Sequence, residues 1–310
     1  MLDPRGGWLQ RCLSWVGRAG ARLFAPRVAR LMEEELHSDA YDTAGTEPEC
    51  VRIEDVGADT TIFSFSSAGF LHAGGMPTYA FTGFFRRQLT PFNLVFLRDV
   101  HRTAYHLSPA GAADGLVFHE QLVRDTMARL GARRNIAIGE SSGAAAAVYF
   151  GSRCGMDQII AFSVPYPMDA WASWGARFRA LFDLRTLFTE PGAYWEVLLI
   201  TGFSVLARQS LKRAVGADAI CNPAETYGQA EPRPQLTAYF GARCRPDRTI
   251  AQAFEGYPEA TLVPVPTARH ILWVPLARMG GLEARIMGTI EGRAAVPGPG
   301  ATPESSDTES

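Results

Sequence analysis

Between about residue 50 and residue 290, short apolar runs alternate with longer segments of helical periodicity. Val51-Arg52-Ile53 and 61–66 (TIFSFS) read as strands, with the turn-like 55–60 between them. Residues 70–90 read as loop and helix, the helix over 81–89. Residues 92–97 (FNLVFL) have the pattern of a strand buried on both faces. In 115–130, Leu116, Val117, Leu122, Val123, Met127 and Leu130 recur at helical spacing, and Gly131 ends the helix; His119 falls on it and reads as structural. The apolar run Ile136-Ala137-Ile138 follows, then the helix formers of 144–150. A buried strand at 158–164 (QIIAFSV) is stopped by Pro165 and Pro167. Strands alternating with helices in this way form a parallel sheet with right-handed crossovers.

Residues 166–232 break that rhythm. Trp171, Trp174, Phe178, Leu181, Phe182, Leu184, Leu187 and Phe188 are followed by the aromatic and aliphatic run 194–206 (YWEVLLITGFSVL). The stretch is too long for a crossover and reads as a helical cap over the carboxyl edge of the sheet, with most of its aromatics serving as helix core. The sheet resumes at 235–240 (QLTAYF). A helix at 249–254 precedes a last strand at 261–265 (TLVPV), which Pro264 assigns to an edge; an apolar helix lies within 269–290. The resulting organisation is 1–45, an amphipathic helical region and linker; 46–165, the first part of an α/β core; 166–232, the cap; 233–292, the rest of the core; and 293–310, a Pro/Gly/Ser/Thr and acidic tail expected to be disordered.

Residues 1–36 set Trp8, Leu9, Leu13, Trp15, Leu23 and Phe24 between Arg5, Arg11, Arg18, Arg22, Arg27 and Arg30. Two readings stay open: peripheral contact with an anionic membrane, or a helical preface packed on the domain, which Gly6, Gly7, Gly17 and Gly20 favour by weakening a free helix.

Composition narrows the function. The chain has 310 residues, 47% hydrophobic and 20% charged, enough for one large α/β domain with an insertion. A net charge of −2 supplies no field to gather nucleic acid. Nearly all its basic charge is arginine, the signature of a GC-rich bacterial genome. Cys12, Cys50, Cys154, Cys221 and Cys244 are odd in number and scattered, which argues for a reducing cytoplasm and against a disulfide framework or a metal site. No cofactor motif is present.

The chemistry gathers at 135–143 (NIAIGESSG). Strand, glycine-flanked serine, helix is the layout of the nucleophile elbow G-x-S-x-G. The spacing selects Ser141 as nucleophile and Ser142 as donor of a backbone N–H to a developing oxyanion, at a helix N-terminus. Ser66-Ser67-Ala68-Gly69, directly after a strand, suits a second donor at Ser67; the alternative is an ordinary loop. A serine hydroxyl needs an imidazole to take its proton and a carboxylate to hold that imidazole's tautomer. Asp247 follows one core strand and precedes a helix, and His270 follows the last strand as the only histidine beyond residue 119. Asp247 has a second reading, as an ion-pair partner of Arg243, Arg245 or Arg248. At the end of 92–97, Asp99, Tyr105 and His106 line the pocket or, for Asp99, cap a turn or pair with Arg98 or Arg102.

GESSG at 139–143, YFGARCRPD at 239–247 and TARH at 267–270, in the order nucleophile, acid, base, resemble the α/β-hydrolase superfamily. FLRDVHRTAYH at 96–106 is similar to a group of bacterial proteins of that kind. The resemblance covers about residues 50–290. It implies a mostly parallel eight-stranded sheet with helices on both faces, and serine-mediated acyl transfer. The Ser66–Gly69 stretch departs from the histidine-glycine oxyanion loop common there. The leading expectation is a cytoplasmic esterase or thioesterase acting on a small-molecule or carrier-bound acyl substrate. An acyltransferase or cyclase using the same acyl-enzyme, and a non-catalytic binding protein, are the alternatives.

Overall fold

The computed structural model describes residues 50–67, 79–165, 175, 179, 183–272, 275–276 and 281–293. The amphipathic region, Ala68 and Gly69, the cap aromatics Trp171 to Phe182, and the tail beyond Arg293 lie outside the described residues.

Seven strands form one sheet: β1 (Val51–Glu54), β2 (Thr60–Phe65), β3 (Asn93–Leu97), β4 (Arg134–Glu140), β5 (Gln158–Phe162), β6 (Gln235–Gly241) and β7 (Ala260–Val265). Their spatial order is β1-β3-β2-β4-β5-β6-β7. Every neighbouring pair is parallel except β1 with β3, where Val51 faces Leu97 in an antiparallel ladder. The helices are α1 (Thr82–Arg86), α2 (Gly115–Leu130), α3 (Ser142–Arg153), α4 (Leu184–Thr189), α5 (Pro191–Val215), α6 (Pro223–Gly228), α7 (Arg245–Ala251) and α8 (Leu282–Ile290). This is the α/β-hydrolase fold. The expected eighth strand is not among the described residues: the chain's own patterning offers seven apolar runs, and the eighth came from the resemblance alone.

The period of two along each strand divides the interior into two cores. Phe63, Phe65, Val95, Leu97, Ala137, Ile159 and Ala161 join α3 residues Ala144, Ala147, Val148 and Phe150, with Val123 of α2, Tyr227 of α6 and Ile250 of α7. On the opposite face Ile62, Leu94, Phe96, Ile136, Ile138, Ile160, Phe162 and Tyr239 meet Phe84 and Phe85 of α1 and Ile286, Met287 and Ile290 of α8. Helices therefore cover both faces. Phe162 and Tyr239 stack across β5 and β6 at 4.8 Å and 11°, a pairing worth about 0.5–1.5 kcal/mol beyond its burial. Thr289 of α8 fastens this face: its carbonyl accepts from Gln158 Nε2 and its hydroxyl bonds Tyr239 Oη, both at 2.8 Å.

Asn93 is the polar exception in a strand buried throughout. Its Oδ1 accepts from the N–H groups of Val56 and Ala58 at 3.0 Å, and its Nδ2 donates to the Ala58 carbonyl, so the amide holds the turn that precedes β2. The segment expected as a cap divides. α4 and α5 approach the carboxyl edge of the sheet, whereas α6 carries the fully buried Tyr227 into the core beside α3. Among the described residues no helix is long and apolar enough to cross a membrane.

Candidate active site

The turn from β4 into α3 sets Ser141 at φ 52° and ψ −125°, outside the regions open to ordinary L-residues. Such a conformation costs about 1–3 kcal/mol and persists only where the surroundings impose it. Here the Ser141 N–H donates to the Phe162 carbonyl at 2.9 Å, and the Ala145 N–H donates to the Ser141 carbonyl at 3.1 Å. The flanking glycines are there for contact. A Cβ on Gly139 would land on the Gly143 carbonyl, and one on Gly143 on the Phe65 carbonyl. Strand, turn and helix thus touch backbone to backbone.

Asp247 lies in the crossover from β6 to β7, and His270 in the segment that follows β7. Asp247 lies within the first turn of α7, not just ahead of a helix as the sequence suggests, and is buried. A carboxylate there is favoured by the helix dipole. His270 follows β7 and is 5% exposed. Its Nδ1 lies 2.8 Å from Asp247 Oδ1 and its Nε2 lies 3.0 Å from Ser141 Oγ. The network assigns the proton to Nδ1, which donates to the carboxylate and leaves Nε2 to accept from the serine. Three side chains at 141, 247 and 270 thereby form one continuous relay. The pairing of Asp247 is with His270, not with a neighbouring arginine. Cys244, in the residue before α7, is pushed well up by burial and by the Asp247 carboxylate, which keeps it a neutral thiol beside the acid.

The helix N-terminus at Ser142 lies beside Ser141, and the β2 exit reaches the same turn, since the Gly143 position abuts the backbone of Phe65 and Ser66. Ser66 gives its N–H to Leu97 at 3.0 Å. Ser67, the next residue, is half-buried.

Asp99, Tyr105 and His106 are buried and hydrogen-bonded to neighbouring backbone, and of the two readings of Asp99 the turn cap describes its contacts. Asp99 Oδ1 and Oδ2 accept from the N–H groups of His101 and Tyr105, capping their own loop. Tyr105 is wholly buried, and its hydroxyl donates to the carbonyls of Ser66 and Leu97 at 3.2 and 3.1 Å. His106 Nδ1 donates to the Thr103 carbonyl, and its Nε2 accepts from the Cys221 N–H at 3.1 Å. The sequence signal was their place after a strand; what it left out is that the loop's own N–H groups must be satisfied first.

Sequence reasoning passed over the groups that hold the His270 loop. Glu196, buried in α5, accepts from the N–H groups of His270 and Ile271 through Oε1 at 2.7 and 2.6 Å, and pairs with Arg269 Nη1 through Oε2 at 3.1 Å. Glu190, ahead of α5, accepts from the Ala268 N–H at 3.4 Å and pairs with Arg243 at 2.5 Å. Ser163 Oγ donates to the His270 carbonyl at 2.6 Å. One signal was available: Glu196 is the only acid in the 25 residues of α5. Among the described residues no cluster of three or more His, Cys, Asp or Glu side chains could hold a metal ion.

No family model and no curated protein matches the chain. Solved structures of similar architecture include MenH from S. aureus, at 10% identity over 79% of this chain and 98% of that one with a TM-score of 0.46. A thermophilic esterase from Thermogutta terrifontis matches at 12% identity over 80% and 96%, TM-score 0.46. A proline iminopeptidase-related protein from Thermus thermophilus matches at 15% over 78% and 93%, TM-score 0.47. The likeness is one of architecture; the chemistry at residue 141 has to be read from its own surroundings.

Proposed function

The chain has the α/β-hydrolase fold, and from that premise we propose that it is a serine hydrolase that cleaves an ester or thioester through an acyl-enzyme on Ser141. The observation that carries this reading is the unbroken pair of contacts at 3.0 and 2.8 Å through His270. Ser141 Oγ attacks the acyl carbonyl while its proton passes to His270 Nε2. The imidazolium is stabilised by the Asp247 carboxylate, which keeps its own charge state. The backbone N–H groups of Ser142 and Ser67 receive the oxyanion, at a helix N-terminus where negative charge is favoured. On collapse of the tetrahedral species His270 returns the proton to the leaving alcohol or thiol. Water, deprotonated by the same imidazole, then attacks the acyl-serine, and the imidazolium returns that proton to the departing Ser141 Oγ as the acid is freed. The strained turn supports this reading, because strain of that kind persists where the surroundings over-determine it.

A fluorophosphonate probe tests the proposal. Wild type is expected to be labelled covalently and Ser141→Ala not at all, with His270→Ala slowed by about three orders of magnitude or more. Equal labelling of wild type and Ser141→Ala, or none of either, would remove the reading. An aryl ester and thioester series varied in acyl length then identifies the preferred substrate.

A further inference from the structure

Both backbone polar groups of residue 270 are tied by side chains that the relay itself does not use. Its carbonyl receives the Ser163 hydroxyl at 2.6 Å, and its N–H is taken by Glu196 Oε1 at 2.7 Å. The same oxygen accepts from the next amide, Ile271, at 2.6 Å. Two successive N–H groups can converge on one oxygen only if the chain bends there, so the carboxylate fixes the backbone direction at the point where the imidazole departs.

We propose that Glu196 is a positioning residue for acyl transfer, acting through the amides of residues 270 and 271 to aim the His270 imidazole at Ser141. The proposal rests on the serine-hydrolase reading above. It makes the first turns of α5 part of the catalytic frame, not a free-moving cover.

An ion pair with Arg269 does not explain the arrangement. That pair uses Oε2 alone, and Arg269 keeps some exposure. Burying a carboxylate is unfavourable unless its lone pairs are met. Burial pushes the Glu196 carboxyl up, while Arg269 and the two amides pull it back. The short bonds from Oε1 to the residues beside the relay are the part of this environment that a plain surface ion pair would lack. Glu190 extends the same hold one step back along the loop, at Ala268. An imidazole carried on a loop has no helix or strand to aim it, and displacement of a reacting group by about 1 Å costs about a hundredfold in rate.

The test compares Glu196→Ala and Glu196→Gln in the full chain. Glutamine keeps one oxygen able to accept both amides; alanine keeps none. With an aryl ester, kcat of Glu196→Ala is expected to fall about a hundredfold with KM unchanged, and Glu196→Gln to recover most of that loss. The His270 Nδ1–H resonance, shifted downfield by its bond to Asp247 in wild type, should broaden or vanish in the alanine variant and persist in the glutamine one. Wild-type kcat in a folded Glu196→Ala, or a Glu196→Gln as slow as the alanine variant, overturns the proposal. Hydrogen exchange on wild type needs neither variant nor turnover: the amides of 270 and 271 should be protected, and free exchange at both overturns the proposal by itself. Absence of Ser141-dependent labelling would sink the serine-hydrolase reading and this proposal with it, an outcome distinct from labelling that is intact while Glu196→Ala turns over like wild type.

Discussion

Gly143 and Tyr105 show how little room the elbow has. An alanine at Gly143 would drive its Cβ onto the Phe65 carbonyl, and neither strand nor helix can yield without moving the other. Overpacking of this kind costs about 1–3 kcal/mol, so Gly143→Ala is expected to lower the thermal midpoint and slow probe labelling together. Tyr105→Phe keeps the ring but leaves the Ser66 carbonyl without its hydroxyl donor. A loss of about 1–3 kcal/mol in urea unfolding is expected, with a smaller effect on labelling, since Ser67 and not Ser66 is the proposed donor. At this scale the elbow was legible, because G-x-S-x-G needs only local chain geometry. Asp247 and His270 were legible from order along the chain. Glu196 and Ser163 were not, because their partners are amides and carbonyls, which every residue has.

Among the elements, α6 shows how sequence continuity misleads. It belongs to the stretch read as a cap, yet Tyr227 is fully buried in the sheet's core and its hydroxyl donates to the Pro234 carbonyl at 2.9 Å. The turn-forming Asn222 starts this helix, its side chain accepting from the N–H groups of Ala224 and Glu225. Asn222→Ala is expected to cost about 1 kcal/mol of stability and to leave labelling of Ser141 unchanged, a combination that would separate α6 from the site. A fall in labelling at full stability would tie it to the site instead. The strands were legible to within two residues at either end, since the central strands, covered on both faces, read as apolar runs. The count of seven strands was legible too, and only the resemblance argued for eight.

For the molecule as a whole, the buried imidazoles set a limit on the acid side. Burial lowers His106 and His119 below their ordinary value of 6.5. Each is neutral in the folded chain, with Nδ1 donating to a backbone carbonyl. The unfolded chain binds protons at these rings before the folded chain does. The stability they contribute is therefore complete above about pH 6.5 and is lost as pH falls through the lowered folded values. Urea midpoints at about pH 7.5 and about pH 5 should differ, the acid one lower; equal midpoints would show that both rings charge in place without penalty.

The three members of the relay enter the chain at 141, 247 and 270, and α8, which fastens β5 and β6 through Thr289, comes later still. A ribosome therefore finishes Ser141, the proposed nucleophile, more than a hundred residues before His270, its proposed base. On the proposed mechanism, a nascent chain stalled short of α7 should carry a Ser141 that the fluorophosphonate probe leaves unlabelled.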